Sequence, residues 1–116
     1  MKEAASFFKV LADEARIQML WLLFNHPELC VCDFMEVLEI TQSKASRHLR
    51  KLYSAGLVSD RRSGLWIYYS LNPVANDFVQ AFLGTLNSTL ARRQDAADLL
   101  KKLDRWLKQK DRDSCR

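Results

Sequence analysis

Glycine and proline are scarce: three of the one and two of the other in 116 residues. So few breakers leave little material for elaborate loops and favour a mostly helical chain. The three glycines stand singly, so no glycine-rich phosphate cradle can be drawn, and neither a metal-hydrolase motif nor a nucleophile–base pair is present. An enzyme is not expected, nor is an organic cofactor. Long apolar runs are missing too. The longest, Met19-Leu20-Trp21-Leu22-Leu23-Phe24, has six residues and cannot cross a bilayer. The first residues, Met1 to Ser6, pass directly into an amphipathic pattern without the apolar core and small-residue cleavage site of a secretory signal. A cytoplasmic protein with no membrane partner is expected. Cysteine is sparse and odd in number, at three. In a reducing compartment that count points to metal, redox or buried roles before a disulfide framework.

What is present is ordinary for a globular chain: 48% hydrophobic, 28% charged, with a formal net charge of +4. The length suits one domain with a real core. The mild positive charge is compatible with nucleic-acid binding without establishing it, so the arrangement of the charges decides.

Ala4, Phe7, Phe8 and Leu11 follow helical spacing and predict a first helix over 3–11. Asp13 can cap a second, whose stripe is Ile17, Leu20, Trp21 and Phe24 and which ends at Asn25-His26-Pro27. Cys32, Phe34, Val37 and Leu38 predict a short third helix from about Val31 to Glu39. Thr41 can cap a fourth, with Ala45, Leu49 and Leu52 on its apolar side and its end near Ala55-Gly56. Two short helices so closely joined form a helix-turn-helix unit. After Gly56 the period becomes two. Ser63-Gly64 separates Leu57–Arg62 from Leu65–Leu71, a hairpin with Leu65, Ile67, Tyr69 and Leu71 on one face. Asn72-Pro73 reads as the start of a helix bearing Phe78, Phe82, Leu86 and Leu90. A second segment carries Leu99, Leu100, Leu103, Trp106 and Leu107, and the pattern leaves one long helix or two open. From Lys108 the apolar pattern stops and fraying is expected. The predicted fold is mainly α with a two-stranded β-hairpin wing: one winged helix-turn-helix domain over residues 1–110, then a flexible tail, residues 111–116, carrying Cys115.

The fourth helix has the composition of a DNA reader. Gln42, Ser46 and Arg50 are four apart and Ser43 and Arg47 form the adjacent row, so they share an exposed face. Arg and Gln have the geometry for guanine and adenine in the major groove. Lys44, Lys51, Arg61 and Arg62 suit phosphate contacts. His48 lies near the apolar row, where a packed histidine is the preferred reading over a base contact. An isolated basic helix would be read as a solvated face. The preceding helix and the basic hairpin turn the reading to sequence-specific binding of double-stranded operator DNA.

Three stretches then carry a resemblance: Phe8-Lys9-Val10-Leu11-Ala12-Asp13-Glu14-Ala15-Arg16, Glu28-Leu29-Cys30-Val31-Cys32-Asp33, and Ser43 to Leu52, with Leu57 to Trp66 fitting a wing. Over residues 5–72 the sequence resembles the ArsR/SmtB family of metalloregulatory winged-helix repressors, and its cysteine box is most similar to that of the arsenic and antimony sensors. The resemblance implies a homodimer, joined by the first and last long helices, that represses its own resistance operon and leaves the operator when metal binds. It also shows departures. The third cysteine that such arsenic sensors often carry three residues after the second is here Met35. The cysteines that cadmium and lead sensors place near the N-terminus are absent from residues 1–29. The carboxylate and histidine ligands of the zinc sensors are missing, since no histidine follows His48.

On spacing alone Cys30 and Cys32 read as small buried hydrophobes. Within the whole box they are the expected ligands of As(III) or Sb(III), with Cys115 as a candidate third beside the alternative of an outside thiol. Responses to oxidants, or to other thiophilic ions such as Cd(II) and Pb(II), remain the rival readings of the same thiols. Around an ideal helix the two cysteines lie about 200° apart, so capture by both is expected to unwind the start of the third helix. A helix N-terminus is further expected to favour the thiolate.

Overall fold

Side-chain caps at Asp13, Thr41 and Asn76 mark where three of the helices begin. The structure, a computed structural model, describes residues 1–110. Helix α1 (Lys2–Leu11) is followed by α2 (Glu14–Asn25), whose N-cap Asp13 accepts the Arg16 backbone N–H at 3.2 Å. Met19, Leu20 and Leu22 of α2 have no exposed surface and form the middle of the core. After Pro27 come a two-residue strand β1 (Leu29–Cys30), helix α3 (Val31–Leu38) and helix α4 (Gln42–Ser54). Glu39, in the left-handed region at φ 56°, turns the chain between α3 and α4. The Thr41 hydroxyl then accepts the Lys44 N–H and starts α4 as expected. Phe34 and Val37 of α3 meet Ala45, Leu49 and Leu52 of α4 in one buried cluster.

The wing comprises β2 (Val58–Ser63) and β3 (Trp66–Leu71). Ser63 pairs with Trp66, so the turn is Gly64-Leu65, with Gly64 at φ 62°. Leu65 therefore sits at the tip, 89% exposed, and does not share the face of Ile67, Tyr69 and Leu71. The wing is also not a two-stranded ribbon. β1 pairs antiparallel with β3, Leu29 opposite Tyr69 and Cys30 opposite Tyr68, giving a three-stranded sheet in the order β1-β3-β2. A third strand supplies support that two alone would lack.

Asn72 does not start a helix. Its Oδ1 accepts the Val74 N–H at 3.1 Å and its Nδ2 donates to the Gly56 carbonyl at 2.9 Å, closing the base of the hairpin. Helix α5 (Asp77–Leu90) begins later, capped by Asn76. The chain breaks after Leu90 and resumes as α6 (Gln94–Gln109), so the C-terminal pattern is two helices. Leu103 of α6 is fully buried, and the Trp21 indole donates to the Ala96 carbonyl at 2.8 Å, fixing α6 against α2. α6 also packs on α3. The fraying expected from Lys108 is not seen there, since α6 continues to Gln109. Residues 111–116, with the expected flexible tail and Cys115, lie outside the described residues.

Candidate thiol site and nucleic-acid interface

Cys30 ends β1 and is the N-cap of α3, with extended backbone at φ −93°, ψ 167°. Its side chain accepts the Asp33 backbone N–H, while Asp33 Oδ2 accepts the Cys30 N–H at 2.8 Å, a capping box built on a thiol. Cys32 is one turn-position inside the helix. Because only one of the two cysteines is helical, their sulfurs do not point apart: the Sγ atoms are 3.3 Å from each other. The expectation that one ion could reach both only by unwinding α3 is thereby corrected. An extended cap residue had already brought the thiols together. Among the described residues, Cys30, Cys32 and Asp33 place potential ligand atoms within 4.8 Å of one another.

Asp33 is the residue that a reading of the cysteines misses. It is 1% exposed. Its Oδ1 accepts the Trp106 indole N–H at 2.8 Å and the Lys110 ammonium at 2.6 Å. A carboxylate held by three donors is a poor competitor for a soft ion, and sulfur is what the site offers. Cys30-x-x-Asp33 has the spacing of a capping box, which was the available signal. Its α6 partners were not readable. Burial pushes the Cys30 thiol above its ordinary value. The Asp33 charge adds to this, against the Asp33 backbone N–H and the Lys110 charge. The position at a helix start therefore does not make Cys30 an acidic thiol; desolvation outweighs it.

On α4 the side chains of Gln42, Ser43, Lys44, Arg47, Arg50 and Lys51 are exposed, and Ser46 is half-buried beside them. His48 turns inward. Its Nδ1 receives the Arg16 guanidinium at 3.2 Å and lies 3.8 Å from Asp13 Oδ1, while Arg16 Nε donates to the Val10 carbonyl at 2.6 Å. That is the packed arrangement, tying α4 to the α1–α2 corner. On the wing, Arg62 is exposed. Arg61 is gripped by Glu28 through two hydrogen bonds of 2.8 and 2.9 Å and lies over the Tyr68 ring at 4.9 Å.

The two regions meet. A cleft of about 140 Å³ beside the thiols is lined by Cys30, Val31 and Cys32, by Gln42 from the start of α4, and by Leu65, Trp66 and Ile67 of the wing.

Comparison with known proteins agrees with this architecture. Residues 13–60 match the bacterial regulatory protein, arsR family. The arsenic resistance transcriptional regulator ArsR2 of Pseudomonas putida is 43% identical over 98 residues, covering 84% of this chain and 85% of that protein. ArsR1 of the same organism is 47% identical over 76 residues, 66% of this chain and 59% of that relative's length. A solution structure of a homodimeric winged helix-turn-helix DNA-binding domain from Mycobacterium bovis, a possible ArsR-family regulator, superposes with a TM-score of 0.64 at 28% identity. It covers 80% of this chain and 82% of that one.

Proposed function

The chain belongs to the arsR family of bacterial regulatory proteins, and from that premise we propose that it is a homodimeric transcriptional repressor that leaves its operator when cysteine thiolates capture trivalent arsenic or antimony. The observation that carries the reading is the cleft: paired sulfurs 3.3 Å apart open between the first residue of the DNA-reading helix and the wing. Gln42, Ser43, Ser46, Arg47 and Arg50 face the major groove, and Lys44, Lys51 and Arg62 face phosphates, while Arg61 is held by Glu28. Both elements must keep one relative position to sit on DNA. An ion on Cys30 and Cys32, with its third ligand projecting into the cleft, disturbs that position. β1 carries the disturbance directly into β3, since Cys30 and Tyr68 are paired.

Cys115 is the proposed third thiolate. Lys110 Nζ lies 4.0 Å from Cys30 Sγ, and Cys115 follows five residues later, a span of at most roughly 17 Å of extended chain. A tethered thiol acts at high effective concentration, which favours it over a free outside thiol. Two copies are needed for a palindromic operator with half-sites about 34–36 Å apart. The face that a second copy would cover is aromatic: Phe8, Phe78 and Phe82 are each more than a third exposed and stack with Phe7 between α1 and α5. The names of the two Pseudomonas putida relatives support the choice of arsenic.

The test is operator release titrated with As(III), Sb(III), Cd(II), Pb(II) and peroxide, on the unaltered protein and on Cys30→Ser. Release by As(III) or Sb(III) at the lowest concentration, lost in Cys30→Ser while operator binding persists, is the expected outcome. Release by peroxide alone, reversed by reductant, would replace the metalloid with an oxidant.

A further inference from the structure

Asp33 joins two parts of the molecule that are far apart in sequence. One carboxylate oxygen fixes the backbone of Cys30 at 2.8 Å; the other holds Trp106 and Lys110 at the end of α6, at 2.8 and 2.6 Å. Lys110 is itself half-buried, and its ammonium reaches to 4.0 Å from Cys30 Sγ. Residues 73 and 77 positions apart have no reason of chain proximity to meet there. The helix core of α6 is already secured by Leu103 and by the Trp21 bond to Ala96. The polar end adds contacts that reach the cap of Cys30.

We propose that Asp33 and Lys110 are positioning residues for soft-ion capture, making the docking of the end of α6 and the binding of the ion at Cys30 and Cys32 mutually dependent; this rests on the metalloid reading above. The physical path is short. With Oδ1 held by α6, the carboxylate cannot rotate, so Oδ2 keeps the Cys30 cap extended and its sulfur directed at Cys32. A bound ion stiffens the same cap from the sulfur side. Coupling of this kind is reciprocal: whatever α6 adds to ion affinity, the ion adds to α6 docking. Trp106 shares Oδ1 with Lys110 and so reports the event.

The experiment measures As(III) affinity by sulfur–arsenic charge-transfer absorbance and Trp106 emission, beside operator affinity without ion. Lys110→Gln should bind As(III) about tenfold more weakly, the scale of one lost hydrogen bond to a charged group, with operator affinity unchanged. Lys110→Arg should recover most of the loss. Asp33→Asn keeps a cap acceptor and should lose about as much, and the double variant should lose no more than either single one. As(III) should change the emission of a Trp66→Phe chain, from which the tryptophan lining the thiol cleft has been removed, and adding Trp106→Phe should remove that change. Equal affinity in Lys110→Gln, no rescue by arginine, additive losses, or a parallel fall in operator affinity would each overturn the inference. A wild-type chain that binds no As(III) would instead overturn the metalloid reading, and this inference with it.

Discussion

Replacing Glu28 by Gln tests what the wing does with its charge. Arg61 gives two of its five N–H groups to the Glu28 carboxylate, at 2.8 and 2.9 Å, and rests on Tyr68. The pair is exposed, so its removal changes stability little. Its effect should appear on DNA. While Glu28 holds it, the Arg61 charge is cancelled within hydrogen-bonding distance and displaces few counterions. In Glu28→Gln that charge is released, adding one neutralised phosphate per protomer. Each such phosphate steepens the slope of log affinity against log salt by about 0.9, so a dimer gains up to about 1.8. Between 50 and 200 mM salt this amounts to about a twelvefold greater loss of affinity than the unaltered repressor shows. Fluorescence anisotropy of labelled operator over that salt range reads the slope directly. An unchanged slope, or weaker binding at every salt concentration, would refute the reasoning. Glu28 would then be a buttress that aims Arg61 at its phosphate. Arg61→Ala serves as the control and should make the Glu28 substitution silent.

Two further outcomes follow from the same geometry. Burial pushes His48 below its ordinary value of 6.5, with Arg16, Arg47 and Lys51 adding to it and Asp13 opposing. The folded chain thus prefers the neutral ring and the unfolded chain takes the proton first. His48 therefore leaves stability whole above about pH 6.5 and lowers it as pH falls from there through the folded value. Thermal unfolding of His48→Gln between pH 7.5 and 5 should fall less steeply than that of the unaltered chain; a steeper fall would reverse the sign. Phe82→Glu places a carboxylate in the Phe7–Phe8–Phe78 cluster. It should yield a monomer in sedimentation and weaken operator binding by roughly 10²-fold or more through lost bivalency.

Much of the architecture was legible because the chain uses strong local signals. Asp13, Thr41 and Gly56 mark helix ends by side-chain and backbone chemistry that acts within four residues, and each stands where it was read. The failures share a cause. β1 has two residues and no period to detect; it exists because β3 offers an edge. Asn72 carries a cap-like signal, yet its amide is used by Gly56, sixteen residues earlier. Leu65 lost its place on the sheet face because Ser63 pairs with Trp66 and shifts the turn by one residue. At the thiol site the two cysteines were visible, but their geometry depended on the conformation of one cap residue. Lys110 and Trp106 could not be linked to them by any local pattern, since Asp33 reaches both only after α6 folds back on α3.

The use of a cysteine as the helix cap has a genetic consequence. Serine is among the preferred residues at that position, so Cys30→Ser exchanges one acceptor for another and leaves the start of α3 and the β1–β3 pairing intact. What disappears is the proposed ion ligand. Such a chain would fold, pair and hold its operator, and it would no longer be induced. Selection for a repressor that is permanently on should therefore find this position early, because here the off-switch can be deleted without touching the machine.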